Sequence, residues 1–322
     1  MYDFLKITHN PVDTKVVLLM GGNSNEREIS LKSAEGAKGA LEEAGYPVTI
    51  VDTGDPEQLS SLLSKDFDFA FICVHGKGGE DGELQGFLQT IGLPYTGSGI
   101  LASAISMDKS KSKVFYELAG VPTPESITVD SSFDMDPKLI LESMGGKVVV
   151  KVPTEGSSIG VYIVDREEAL AEALTEAFKM SDTLLIERYI KGRELTCVVL
   201  SSGEKATTFP VIEIIPQNES YDFESKYAPG GSEHICPAEL DERQTELVSK
   251  FAIKAQRARG CQGVSRTDFI LEENGDIWAL ETNTVPGMTA TSLLPDAAKA
   301  GGISFPELVK LMVQSGLDTI RD

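Results

Sequence analysis

Cysteine is scarce in this chain, and positive charge is outnumbered. The four cysteines, Cys73, Cys197, Cys236 and Cys261, stand too far apart for a Cys-x-x-Cys pair. No disulfide framework or zinc knuckle can be read from them, and the expectation is buried, reduced thiols. No apolar run is long enough to span a bilayer, and residues 1–15 hold no apolar segment of signal-peptide length. The expectation is therefore a cytoplasmic protein without a membrane partner. Lysine and arginine number 29 against 50 aspartates and glutamates, a formal net charge of −21. Such a surface repels a phosphate backbone at long range, which argues against a nucleic-acid partner. Small phosphorylated ligands stay open, because a local lysine cluster with a divalent cation can hold them. Also absent are internal repeats, the G-x-G-x-x-G dinucleotide spacing and the P-loop spacing.

What is present is 322 residues, enough for two or three domains, and one stretch with a strong local signature. Two alternating runs, 265–271 and 277–283, flank Glu-Glu-Asn-Gly-Asp. Asn274-Gly275 between them predicts a hairpin closed by a two-residue type I′ turn. Counting outward sets Asp268 opposite Glu281 and Arg266 opposite Asn283. Side chains alternate along a strand, so Arg266, Asp268, Glu281 and Asn283 share one face. Phe269, Leu271, Trp278 and Leu280 fall on the other, read as a core face. Facing carboxylates repel unless a cation lies between them. Mg2+ suits them, since it takes one or two carboxylates, a further oxygen ligand and substrate phosphates. A solvated outer face with a chance acidic pair is the competing reading.

The first hundred residues read β-α-β-α-β, which implies a doubly wound parallel sheet with ligands at the strands' carboxyl ends. Glycine-rich turns at 21–22 and 76–82 fall there and present Glu26 and His75. A lone histidine after a strand is more often structural. Residues 103–118 read as one helix bearing Lys109, Lys111 and Lys113, with Lys111 on a solvated face. A strand at 147–152 carries Lys151 into the loop 153–161, whose glycines and serines suit a phosphate cradle; a plain hairpin loop is the alternative. A strand at 184–187 leads into a turn through Arg188, Ile190 and Glu194. Strands follow at 195–200 and 207–215. The long segment 216–237, with Tyr221, Lys226 and Tyr227, reads as a packed lid. A helix over 239–259 precedes the hairpin, and another over 305–316 closes the chain.

Several motifs, in this order, resemble those of D-alanine–D-alanine ligases: Asn-Glu-Arg-Glu-Ile-Ser-Leu at 25–31, His-Gly-Lys-Gly-Gly-Glu-Asp-Gly at 75–82, Met-Asp-Lys at 107–109, Glu-Gly-Ser-Ser-Ile-Gly at 155–160, Lys226-Tyr227, and Glu-Thr-Asn-Thr-Val-Pro-Gly-Met-Thr at 281–289. The resemblance runs from about Val16 to Leu317. It implies an α/β, three-domain ATP-grasp architecture: a Rossmann-like substrate domain at 1–103, a central domain at 104–191 and a C-terminal domain at 192–322, the last two sandwiching ATP. It implies ligation of two D-alanines through an acyl phosphate, for peptidoglycan precursors, by a homodimer. Asp268, Glu281 and Asn283 would ligate two Mg2+ ions, with Mn2+ as a substitute. Lys109, Lys151 and Ser158 would meet the ATP phosphates, and Glu187, Arg188, Ile190 and Glu194 adenine and ribose. Glu26 would hold the first D-alanine's ammonium, with His75 nearby. Ser292, Leu293 and Lys226 would bind substrate, and Arg266 with the Gly287 N–H would form an oxyanion hole. Glu26, Ser157 and Tyr227 would pin two loops over the site, Tyr227 favouring the amine nucleophile. Coupling to another nucleophile such as D-lactate, or a silent ATP-binding regulator, are the alternatives. Val152, Thr267 and Val285 depart from the family pattern, and Thr267, on the packed face, needs a hydroxyl partner.

Overall fold

A computed structural model describes residues 4–64, 66–132, 136–217, 231–289 and 291–319. It contains three sheets in chain order. The first is parallel. β1 (Val16–Met20) lies between β2 (Val48–Asp52) and β3 (Phe69–Ile72), and Ala70 bridges in parallel to Tyr95. β1 is apolar and almost wholly buried, as a strand covered on both faces must be. The crossover helix α1 (Arg27–Glu43) lays Ala34, Ala37, Ala40 and Leu41 against it. Gly45, at φ +98°, turns the chain after this helix. α2 (Pro56–Ser60) and α3 (Glu83–Thr90) complete the unit.

The expected helix over 103–118 is two. α4 (Ile100–Met107) ends at Asp108, whose extended backbone breaks the run, and α5 (Lys109–Leu118) begins there. The Asp108 carboxylate accepts from the Lys111 N–H at 3.1 Å, so a residue read as mid-helix is an N-cap.

The second sheet is antiparallel, in the order β4 (Ser126–Asp130), β7 (Thr183–Arg188), β5 (Val148–Lys151), β6 (Val161–Val164). Helices α6 (Pro137–Ser143) and α7 (Glu167–Ala177) cover one face. Val152, one of the family departures, is buried in this core.

The third sheet orders β11 (Ser232–Ile235), β10 (Ile212–Pro216), β8 (Arg193–Ser202), β12 (Val264–Leu271), β13 (Ile277–Asn283), with β9 (Lys205–Thr208) also on β8. The expected strand 207–215 is thus interrupted around Pro210, which lacks a ladder donor. Both faces of the sheet are covered. Val198 and Leu200 pack toward α1 and α10 (Phe305–Asp318), while Cys197, Val199 and Phe269 pack toward α8 (Glu242–Ala258). An additional helix, α9 (Leu293–Ala300), follows the hairpin.

In the β12–β13 hairpin the pairing at the far end is as counted: Asp268 faces Glu281 and Arg266 faces Asn283. The turn is not. Gly275 alone has positive φ, at +89°, and its N–H donates to the Glu272 carbonyl at 3.0 Å. That is a three-residue loop with glycine in the left-handed position. A bulge at Leu280 absorbs the one-residue offset, since Phe269 faces Ala279 while Asp268 faces Glu281. The core face is therefore Phe269, Leu271, Ile277 and Ala279. Trp278 and Leu280 are only half-buried and do not belong to it.

Candidate active site

Two adjoining cavities, of about 540 and 560 Å³, lie at the face of this hairpin. The first opens between the second and third sheets. Its apolar walls include Val149 and Ile163 on one side and Ile214, Ile270 and Leu280 on the other. Lys109, Lys151, Ser158, Glu187, Arg188, Ile190 and Glu194 all line it, together with Asp268 and Glu281. The second lies between the carboxyl ends of the parallel strands and the hairpin. Glu26, His75, Ser157, Arg266, Asn283, Gly287, Ser292 and Leu293 line that one. Glu281 and Gly156 line both. Lys226 and Tyr227 lie outside the described residues.

The acidic pair is neutralised by neighbouring cations. Arg266 grips Asp268 through two hydrogen bonds, of 2.9 and 2.8 Å, and Thr196 Oγ1 donates to Asp268 Oδ1 at 2.6 Å. Asn283 reaches Asp268 Oδ2 at 3.4 Å. Lys109 Nζ sits 3.1 Å from Glu281 Oε2 and donates to the Glu155 carbonyl at 2.7 Å. Burial works to lower the Lys109 pKa, but Glu281, helped by Glu26 and Glu187, outweighs it and holds it above the ordinary lysine value. The Thr267 hydroxyl finds its partner in Thr282 at 2.7 Å, and Thr282 also meets Tyr116 at 2.9 Å. This buried chain holds the two strands in register beneath the acidic pair.

Loop 153–160 is a hairpin loop joining β5 to β6, and it is also docked on the site. Ser157 donates to the Glu26 carboxylate, and Asn25 reaches Glu155 at 3.4 Å. Ser157 and Ser158 have φ of +53° and +61°, a conformation that costs non-glycine residues about 1–3 kcal/mol each. Glu26 and Ser157, two of the expected trio, thus meet. His75 is buried, as a structural histidine would be, yet it also lines the second cavity. Its ring contacts Ser33 Oγ at 2.8 Å and Glu80 at 3.1 Å. Burial pushes the Glu80 carboxyl up, opposed by its hydrogen bond with His75. Ser33 in turn accepts from the Met288 N–H at 3.2 Å, so His75 is linked to the loop after the hairpin. Ser292 precedes α9 as its N-cap residue, and its hydroxyl accepts from the Thr289 N–H at 3.0 Å.

Sequence reasoning missed Thr196, Ser33 and His234, and named Lys113 without giving it a role. Lys113 was legible as one helical turn beyond Lys109. Thr196 and Ser33 reach the site through long-range pairing and left no local signal. His234 lines the second cavity, its ring 3.1 Å from Asp296.

An apolar cleft with lysines and carboxylates, opening onto a second polar cavity under a parallel α/β unit, defines an α/β protein with two adjoining cavities that share one carboxylate, Glu281. Family models described as "D-ala D-ala ligase C-terminus" and "D-ala D-ala ligase N-terminus" match residues 115–314 and 54–98. D-alanine–D-alanine ligases of Halalkalibacterium halodurans and Geobacter sulfurreducens are 44% and 45% identical to this chain, each over 94% of it and over 99% and 94% of their own lengths. The crystal structure of the Bacillus anthracis D-alanine–D-alanine ligase complexed with ATP superposes with a TM-score of 0.81 at 31% identity, covering 94% of this chain and 97% of that one. The chain belongs to the D-alanine–D-alanine ligase family.

Proposed function

We propose that this protein joins two D-alanines into D-alanyl-D-alanine, converting ATP to ADP and phosphate, as a step toward peptidoglycan. The observation that supports the reading is the position of Glu281 on the wall of both cavities, which would set a triphosphate in one against an amino acid in the other. We read the architecture as ATP-grasp, with domains at 1–103, 104–191 and 192–322, working as a cytoplasmic homodimer. Among the described residues, no helix is long and apolar enough to cross a membrane.

A carboxylate is a poor electrophile. In the first step an oxygen of the first D-alanine's carboxylate attacks the γ-phosphorus, the β–γ bridging bond breaks, and ADP leaves. In the second, the amine of the second D-alanine attacks the acyl carbon, the C–O bond breaks, phosphate leaves, and the amine's surplus protons pass to solvent. Phosphoryl transfer needs positioning and charge neutralisation above all. Lys109 and Lys151 supply positive charge at the phosphates. Asp268, Glu281 and the Asn283 amide, drawn together by the hairpin pairing, carry the hard oxygen donors that Mg2+ or Mn2+ takes and would hold it. Bound there, such ions would neutralise the triphosphate. Glu26 holds the first ammonium. Arg266 and the Gly287 N–H stabilise the developing oxyanion, where one donor contributes about 3 kcal/mol. Ser292 and the first N–H groups of α9 receive the second carboxylate. Ser157, closed on Glu26, keeps water from the acyl phosphate.

The test is D-alanine-dependent release of phosphate from ATP, with D-alanyl-D-alanine formed in equal amount. ATP binding with no D-alanine-stimulated turnover would favour a regulatory protein. Equal coupling of D-lactate and D-alanine near neutral pH would overturn the amine preference assigned to Tyr227.

A further inference from the structure

Lys113 is a buried cation with no part in the mechanism above. It is 3% exposed, on α5, one turn beyond Lys109. Its Nζ lies 2.7 Å from Glu187 Oε1, and it donates to Thr123 Oγ1 at 2.9 Å and to the Pro124 carbonyl at 2.6 Å. An ammonium has three hydrogens to give. All three are used within the protein, so Lys113 has none left for a ligand. Thr123 itself donates to the Ala279 carbonyl at 2.9 Å, which anchors the cluster to the hairpin.

Glu187, 1% exposed, is held on its other oxygen by Lys151. The two lysines differ in freedom. Lys151 lines the first cavity alongside Glu187 and can be drawn to an incoming polyanion. Lys113 is behind the carboxylate and cannot. When phosphates compete for Lys151, Glu187 loses one of its two cations inside a buried site. A buried carboxylate left without any cation takes up a proton.

The protonation state of Glu187 decides which base it can read. A carboxylate only accepts hydrogen bonds, whereas a carboxylic acid also donates one. The exocyclic 6-amino group of adenine donates; the 6-oxo group of hypoxanthine or guanine accepts. We propose that Lys113 is a positioning residue, the permanent counter-ion that keeps Glu187 a pure acceptor after nucleotide has claimed Lys151, and so sets the preference for 6-amino over 6-oxo purines. This rests on reading the first cavity as the nucleotide site. The electrostatics agree: burial pushes Glu187 up, but Lys151 and then Lys113 outweigh it, leaving it below the ordinary carboxylate value. Burial lowers Lys113, with Glu187 opposing.

The experiment compares steady-state kinetics with ATP and inosine triphosphate for the parent, Lys113→Met, Lys113→Gln, Lys113→Arg and Glu187→Gln. Lys113→Gln retains hydrogen-bond donors for Thr123 and Pro124 without the charge, and serves if Lys113→Met fails to fold. Either neutral variant is expected to raise KM for ATP roughly tenfold with kcat within about threefold, and to shrink the ATP-to-ITP preference by about tenfold or more. Lys113→Arg, which keeps the charge, should restore much of that preference. A purely structural lysine would lower folded yield or Tm but leave the preference alone. Neutral variants that fold and keep the parent's preference, while Glu187→Gln loses it, overturn the role of Lys113 and leave the nucleotide site standing. A Glu187→Gln variant that keeps the parent's preference overturns the assignment of Glu187 to the base itself.

Discussion

Replacing Glu281 by glutamine keeps its shape and removes its charge at the point where the two cavities meet. The expected outcome is a fall in kcat of about 10²–10³-fold with Tm unchanged within about 2 °C, read by D-alanine-dependent phosphate release and a thermal melt. Asp52 offers a test away from the reacting centre. Its hydrogen bonds with Arg27, of 3.0 and 2.5 Å, brace the Gly21-Gly22 turn and hold the carboxyl below its ordinary value of 3.8. A depressed carboxylate stabilises the fold fully above that ordinary value and loses its contribution as pH falls through the folded one. Asp52→Asn should therefore flatten the acid limb of urea stability against pH. The effect will be modest, because the Arg27 side chain is 40% exposed. At this scale the sequence was readable where chemistry and local spacing coincided, as at Asp268 and Glu281. Thr196 and Ser33 were not readable, since only β8 lying beside β12, and α1 beside the Met288 loop, bring them in.

Among elements, the β12–β13 hairpin shows why a correct pairing can come from an incorrect turn. Asn-Gly marked the reversal correctly, but a three-residue loop and a bulge at Leu280 replace the two-residue turn. The two departures cancel at Asp268 and Glu281. Neither is written in alternation alone, and the bulge is what moves Leu280 off the core face. The broken helix at Asp108 is a simpler case, since an aspartate before a lysine-rich run is an ordinary cap that periodicity overrode. Loop 153–160 is the element whose closure matters most. A Cβ on Gly156 would collide with the Glu26 carboxylate. Gly156→Ala should break the Ser157–Glu26 contact, by displacing either the loop or the Glu26 carboxylate, and admit water to the acyl phosphate. Dipeptide formed per phosphate released should drop well below one. A ratio that stays at unity while both rates fall would mean the loop positions phosphate without sealing the site.

For the molecule as a whole, the three sheets do not have three equivalent cores. The first and third share one continuous apolar cluster, bridged by α10 through Leu308, Val309 and Val313. The central sheet keeps a separate core of Val148, Val150, Leu170, Leu184 and Ile186. The three-part division read from the resemblance carried no hint of this asymmetry, because chain order says nothing about which side the last helix packs on. Hydrogen exchange should find the amides of β5 and β7 opening as one group and those of β1 and β8 as another, with added ATP slowing the central group. Exchange of all three sheets in a single cooperative step would contradict it. The bulged hairpin has a further practical reach. Its register near Asp268 is held by the unbroken ladder to β8 and by the buried hydroxyls below, while the tip at Glu273, Asn274 and Gly275 lies beyond the irregularity at Leu280. A foreign peptide spliced into that tip would ride as a passenger, giving a place to graft a reporter without disturbing the chemistry.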